Sequence, residues 1–250
     1  MHDSFLCWIF KKKYDNLKDI FNGWVKHLLF LVPIIGLLIL EPHLSASIVI
    51  IGVCMIMMTM AGCQLWQIVV PGTIIGIPLI GIGIWKIPKL AHALKRITTF
   101  IDPWEDKLGA GWQVTQSLYA IGSGGLFGLG LGQSRQKYLY LPEPQNDFIF
   151  SVLAEELGFV GCMFVIILFA ILIWRGILAA MKAPDMFGSL LAIGITSLIG
   201  IQAIINIAVV TSSMPATGMP LPFFSYGGTA LLILLCEVGV LLNISRAGNK

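Results

Sequence analysis

The chain has 250 residues, 57% of them hydrophobic and 12% charged, with a mean hydropathy of +0.88. Soluble domains carry about 25% charged residues, so there is too little charge here to coat a soluble globule. A soluble enzyme, a disordered chain and a nucleic-acid binder are excluded as leading readings, and the composition points to a polytopic membrane protein. The net charge of +3 suggests no acidic partner.

In chain order, Ser4–Phe10 is apolar and precedes Lys11–Lys13. A signal peptide has the opposite order, and the stretch is too short to span a bilayer. It reads as the cytoplasmic end of a helix that begins upstream, in an N-terminally truncated chain; an interfacial tail is the alternative. Six apolar stretches then qualify as spans, near 24–40, 44–63, 68–85, 157–174, 188–210 and 225–244. Their apolar residues do not alternate with polar ones, so they are read as helices rather than barrel strands. The third is rich in Gly and Pro (Pro71, Gly72, Gly76, Pro78, Gly81, Gly83), which permits kinks and close helix contact. Domain organisation is read as one membrane domain over 1–250, with 86–150 as a long extracytoplasmic loop within it.

Lys and Arg set the orientation. Lys11, Lys12, Lys13, Lys18 and Lys26 precede the first span, Arg175 and Lys182 lie between the fourth and fifth, and Arg246 and Lys250 follow the sixth. The positive-inside rule therefore places both termini in the cytoplasm. The seven basic residues of 86–150 oppose this, but the rule is weak for loops beyond about 60 residues. The five cysteines lie mostly in apolar spans, with no metal spacing, and read as small buried hydrophobes.

Segment 86–150 is long enough between membrane helices to need a reason, and its composition is not that of a disordered loop. Ile87, Leu90, Leu94 and Ile97 fall at helical spacing, predicting an amphipathic helix on the membrane surface or against neighbouring protein. Gly122–Gly132 holds six glycines. They either bring backbone amides to a ligand or form a re-entrant or kinked turn packed on helices. No strand precedes them, so a dinucleotide fingerprint is rejected. Arg135 and Lys137 follow, and cations beside a glycine turn would suit a diphosphate. Asp147 then meets the fourth span, either as an N-cap or as a general base that a lipid-anchored substrate reaches from outside.

Further along, Glu155 and Glu156 mark a polar interior, or else bind loop amides or Arg96. Gln202 and Asn206 share one face of the fifth span, as interhelical glue or substrate contacts. Glu237 lies within the sixth. The run from Met214 to Gly228 is too rich in Pro and Gly for a helix and is expected to wall the same outer cavity as the long loop.

The run GSGGLFGLGLGQSRQKYLYLPEPQNDFIFSVLAEELGFVG (122–161) resembles a signature of the SEDS (FtsW/RodA/SpoVE-like) family of bacterial shape, elongation, division and sporulation proteins. PATGMPLPFFSYGGTALL (215–232), DPWEDKLGAGWQVTQSLYAIGSGG (102–125) and EPHLSASI (41–48) are similar to that family as well. The resemblance implies an all-α polytopic membrane protein whose six spans are the last six of a ten-helix SEDS fold. The family's PSE…K motif is absent, His43 stands where an acid is common, and Asn146 stands where Thr often precedes the key aspartate.

By the same resemblance the chain is expected to be a peptidoglycan glycosyltransferase that polymerises lipid II in the bacterial plasma membrane. Its expected partners are a class B penicillin-binding protein and divisome or elongasome proteins. Asp147 matches the catalytic position. The candidate substrate contacts are Arg96, Gln116, Ser117, Arg135, Lys137, Glu143, Glu155, Gln202, Asn206 and Ser225. A divalent cation, Mg or Mn, is the one cofactor carried forward. A lipid II flippase and a non-catalytic scaffold for the penicillin-binding protein are the competing readings.

Overall fold

In a computed structural model of the chain, the described residues are 33–34, 36–38, 44–62, 100, 102, 104, 111–136 and 145–248. They form five helices: α1 (Leu44–Met60), α2 (Trp112–Gly124), α3 (Ile149–Met181), α4 (Met186–Val210) and α5 (Gly228–Ala247). The chain is an all-helical multi-pass membrane protein. Three of the helices, α3, α4 and α5, are long and apolar enough to cross a bilayer. They contain most of the fourth, fifth and sixth predicted spans, and α1 occupies most of the second. The third span, the surface helix 87–97 and the basic N-terminal segment lie outside the described residues.

The chain divides into two compact units. The first combines the N-terminal part with 173–198 and 236–250. Within it α1 buries Val49, Val53 and Met57, a stripe at every fourth residue, and turns Ile48, Ile51 and Ile56 outward. The helix ends where Gly62 takes φ +97, a left-handed stop that a side chain would strain. Ala179 and Ala180 of α3 pack with Ala192 and Ile193 of α4 and with Leu241 of α5. A Cβ on Gly176 would strike the Thr196 side chain, so a glycine there lets α3 and α4 close up.

The second unit comprises 91–172 and 199–235. Along α4 a buried stripe runs through Ala192, Thr196, Ile199, Ala203, Asn206 and Val210, alternating steps of four and three residues. Its lower half, Ile199 to Val210, belongs to this unit. Ser117 of α2 donates to the Val210 carbonyl at 2.7 Å, satisfying a carbonyl that the C-terminal turn of α4 leaves open. The Ser117 hydroxyl also meets that of Ser151 on α3 at 2.7 Å.

α3 is not one continuous helix. Gly158 has φ 69 and ψ −169 and interrupts it. In an unbroken helix Phe159 and Val160 would donate to the carbonyls of Glu155 and Glu156. Here Phe159 N–H donates to Gly125 O at 2.9 Å and Val160 N–H to Leu126 O at 3.1 Å. The carbonyls they leave accept Leu129 N–H at 2.9 Å and Gly130 N–H at 3.0 Å. The glycine turn thus inserts into the break and replaces each lost helical bond with one of its own. Glycine is required where the backbones touch. A Cβ on Gly128 would overlap the Glu156 carbonyl, and one on Gly158 would overlap Gly128 and Leu126.

Candidate functional site

Asp147 sits in the turn 145–148, immediately before α3 begins at Ile149. The turn is held by its main chain. Three successive carbonyls each accept a donor from farther along the chain. Tyr226 N–H donates to Gln145 O at 2.8 Å. Ser225 Oγ donates to Asn146 O at 2.6 Å. Asn206 Nδ2 donates to Asp147 O at 2.8 Å. Through these bonds α4 and the loop 211–227 grip the Asp147 backbone.

The gripping groups are themselves fixed. The second Asn206 amide hydrogen reaches Met219 O at 2.6 Å, and the residue is 1% exposed. Its Oδ1 is buried without a hydrogen-bond partner among the described residues. The Ser225 hydroxyl accepts Leu221 N–H at 2.7 Å, so it is donor and acceptor at once. Phe223 takes φ 68, which a bulky side chain rarely adopts, and packs its ring on Phe169 of α3 at 6.4 Å. Phe224 lies on the same ring at 6.2 Å.

Gly218 places the loop against the carboxylate itself. Its φ is +70, it is exposed, and a Cβ built on it would lie 3.3 Å from Asp147 Oδ2. Asp147 is therefore half-buried, with one flank bordered by bare backbone. No pattern in the sequence singled out Gly218, since its closeness to Asp147 depends on the fold of the loop.

Glu155 has a different environment. It is 1% exposed, and its carboxylate accepts Ser134 Oγ at 2.5 Å, Arg135 N–H at 3.0 Å and Gln136 N–H at 3.3 Å. Glu156 accepts Ser134 N–H at 3.3 Å. Glu155 clamps the end of the glycine turn to α3, as the loop-amide alternative expected: three donors meet its two oxygens. Ser117 is likewise engaged within the protein, 0% exposed and bonded to Ser151 and Val210. The amide hydrogens of Asn206 and the hydroxyl of Ser225 hold main chain. The amides of the glycine turn are likewise engaged, Gly128 with Gly124 O and the next two with α3. The turn is therefore the packed kind rather than an amide cradle.

Arg135 keeps its side chain exposed while its N–H is tied to Glu155. Its backbone is thus anchored about 9 Å along the axis from the first residue of α3, at 1.5 Å per residue. Gln116 is 8% exposed and Gln202 half-buried. Arg96, Lys137 and Glu143 lie outside the described residues. Among the described residues, no three His, Cys, Asp or Glu groups stand together as a metal site.

A family profile described as "Cell cycle protein", FtsW/RodA/SpoVE, matches residues 3–250. The chain belongs to the FtsW/RodA/SpoVE family. Stage V sporulation protein E of Bacillus subtilis (strain 168) is 46% identical over 245 residues, covering 97% of this chain and 65% of the relative. The probable peptidoglycan glycosyltransferase FtsW of Trichlorobacter lovleyi is 43% identical over 246 residues, covering 98% and 63%. Among solved structures, a chain described under "Structural coordination of polymerization and crosslinking by a peptidoglycan synthase complex" superposes with a TM-score of 0.69 at 26% identity. It covers 91% of this chain and 63% of that one. The rod shape determining protein RodA of Thermus thermophilus matches with a TM-score of 0.59 at 25% identity, covering 98% and 64%. The chain thus spans just under two thirds of the length of these FtsW/RodA/SpoVE relatives.

Proposed function

We propose that this chain carries the catalytic face of a peptidoglycan glycosyltransferase, with Asp147 as general base. The carrying observation is the main-chain grip on residues 145–147, three bonds that fix the backbone from which the Asp147 carboxylate projects, with the backbone of Gly218 beside it. Rigid placement is what a general base needs, because proton transfer requires the acceptor hydroxyl within about 2.6–3.2 Å. The family relatives named as peptidoglycan glycosyltransferases support the reaction class.

In this reading the acceptor sugar hydroxyl of one lipid II chain attacks the anomeric carbon of another. The new C–O bond forms as the bond to undecaprenyl diphosphate breaks. Asp147 takes the hydroxyl proton, and the electron pair leaves on the diphosphate. Developing negative charge there calls for preorganised cations. Arg135, held by its backbone beside Glu155, is the described candidate, with Arg96 and Lys137 from the sequence. A Mg or Mn ion brought with the diphosphate would share that charge, but no step is assigned to it.

With both termini cytoplasmic, the Asp147 end of α3 faces outward across a bacterial plasma membrane, where lipid II is polymerised. A class B penicillin-binding protein would take the nascent glycan strand. The flippase reading draws less from the break at Gly158, because both halves of it are bonded to the glycine turn.

The test is polymerisation of purified lipid II by this chain, and by a full-length relative carrying the same residues, with and without Asp147→Asn. Loss of glycan strands with retained folding supports the reading. Normal strands from the Asn variant overturn it, and flipping in proteoliposomes without polymerisation replaces it with the transporter.

A further inference from the structure

We infer that the glycine turn is a lipid-contacting element, with its apolar tip seated at the acyl–headgroup boundary beside α3. The turn points large apolar side chains outward: Phe127 is 82% exposed, Leu131 75% and Leu126 64%. A water-facing turn would not be built this way, since a contiguous apolar patch marks a lipid or protein contact.

Continuity with a membrane-crossing helix decides which. The turn is bonded to α3 at Phe159 and Val160, and those side chains are themselves outward-facing, as is Phe164 one turn on. Tip and helix therefore present a single apolar surface, and α3 is a membrane-spanning helix. Depth follows from charge. Leu157–Trp174 is the uncharged run between Glu156 and Arg175. At 1.5 Å per residue it covers about 27 Å, close to the roughly 30 Å hydrocarbon core. Phe159 and Val160 lie at the end of that run, so the tip beside them meets the lipid at its boundary rather than its middle.

Irregular backbone at that depth is tolerated only when its polar groups are satisfied. The four exchanged bonds with α3 and the Gly128–Gly124 bond satisfy the amides of 128–130 and the carbonyls of 124–126, and Ser134, Arg135 and Gln136 end the segment on buried Glu155. The exposed Arg135 side chain then emerges at headgroup level, where a cation is at home. None of this depends on the transferase reading.

The experiment places nitroxide labels on Phe127→Cys and Leu131→Cys in the whole chain, with its five native cysteines replaced, in phospholipid nanodiscs that hold no partner protein. Phe164→Cys serves as the lipid reference and Gln133→Cys as the aqueous one. The expected result is a ratio of oxygen to nickel-chelate accessibility at 127 and 131 near that at 164 and well above that at 133. Nickel accessibility at 127 and 131 equal to that at 133 overturns the inference in favour of a water-facing docking site. Should the cysteine-free background not fold, benzoylphenylalanine at 127 in the otherwise native chain gives the same reading. A phospholipid adduct by mass supports the inference, and labelling only of water or of protein overturns it.

Discussion

Asp147 and Glu155 are carboxylates eight residues apart, one just before α3 and one within its first half, and they sit in opposite environments. At Asp147 three donors go to the main-chain carbonyls of 145–147, and the backbone of Gly218 lies beside the half-buried carboxylate. At Glu155 the donors go to the carboxylate, and the side chain is sealed from solvent. A carboxylate that fastens a loop spends its lone pairs on that loop. One meant to accept a proton from substrate must be positioned by something other than its own oxygens. On the proposed function, that difference would separate a structural acid from a chemical one eight residues apart.

The comparison breaks most sharply at Asp147. Asp147→Asn is expected to lower glycan polymerisation by about 10²–10⁴-fold, the usual contribution of a general base, while thermal unfolding in detergent stays nearly unchanged. Glu155→Ala is expected to do the reverse. It strands one hydroxyl and two N–H donors in a buried place, and the loss, read by thermal unfolding, should be about 2–4 kcal/mol. An activity loss without destabilisation would show that Glu155 belongs with Asp147 after all.

Asn206 sharpens the positioning half of the contrast. Asn206→Ala removes the bonds to the Asp147 and Met219 carbonyls. Misplacing a catalytic group by about 1 Å can cost up to about 10²-fold in rate. Polymerisation by the Ala variant should fall by about 10- to 100-fold, with the substrate concentration for half-maximal rate little changed. Smallest in effect, Gly218→Ala adds a Cβ against the Asp147 carboxylate at a left-handed position. Strain of roughly 1 kcal/mol is expected, seen as a modest drop in unfolding temperature and a several-fold slower reaction. An unchanged rate would mean that the loop is not part of the site.

Much of the fold was legible in the residues. The stretches near 157–174, 188–210 and 225–244 correspond to α3, α4 and α5, because long apolar runs free of alternation permit no other structure in a bilayer. The start of α3 beside Asp147 was legible too. The apolar run alone, bounded at 157, did not carry α3 upstream to Ile149. Glu155 and Glu156 made that stretch look non-membranous, and only the loop that caps them makes a polar helical turn affordable there. The six glycines from 122 to 132 signalled close backbone approach, and both alternatives they suggested were reasonable from spacing. What they approach is α3 itself, through a glycine at 158 whose role depends on a partner about thirty residues earlier. Glu155 and Asn206 stood out in the sequence as polar groups beside or within apolar spans, and Ser117 and Ser225 as polar groups of loop segments. Whether such a group faces substrate or main chain is decided by which carbonyls end up within about 3 Å of it.

By itself the sequence determined that scarce charge and long apolar runs make this a helical membrane protein, and that its motifs belong to one family. Those properties follow from local composition and from a bilayer that satisfies no backbone polar group. Only the tertiary structure decided how the polar residues divide. Hydrogen bonds that join residue 145 to 226, 146 to 225 and 147 to 206 are long-range, and no local spacing encodes them. They fix the backbone at 145–147, while Glu155 fastens the glycine turn to α3.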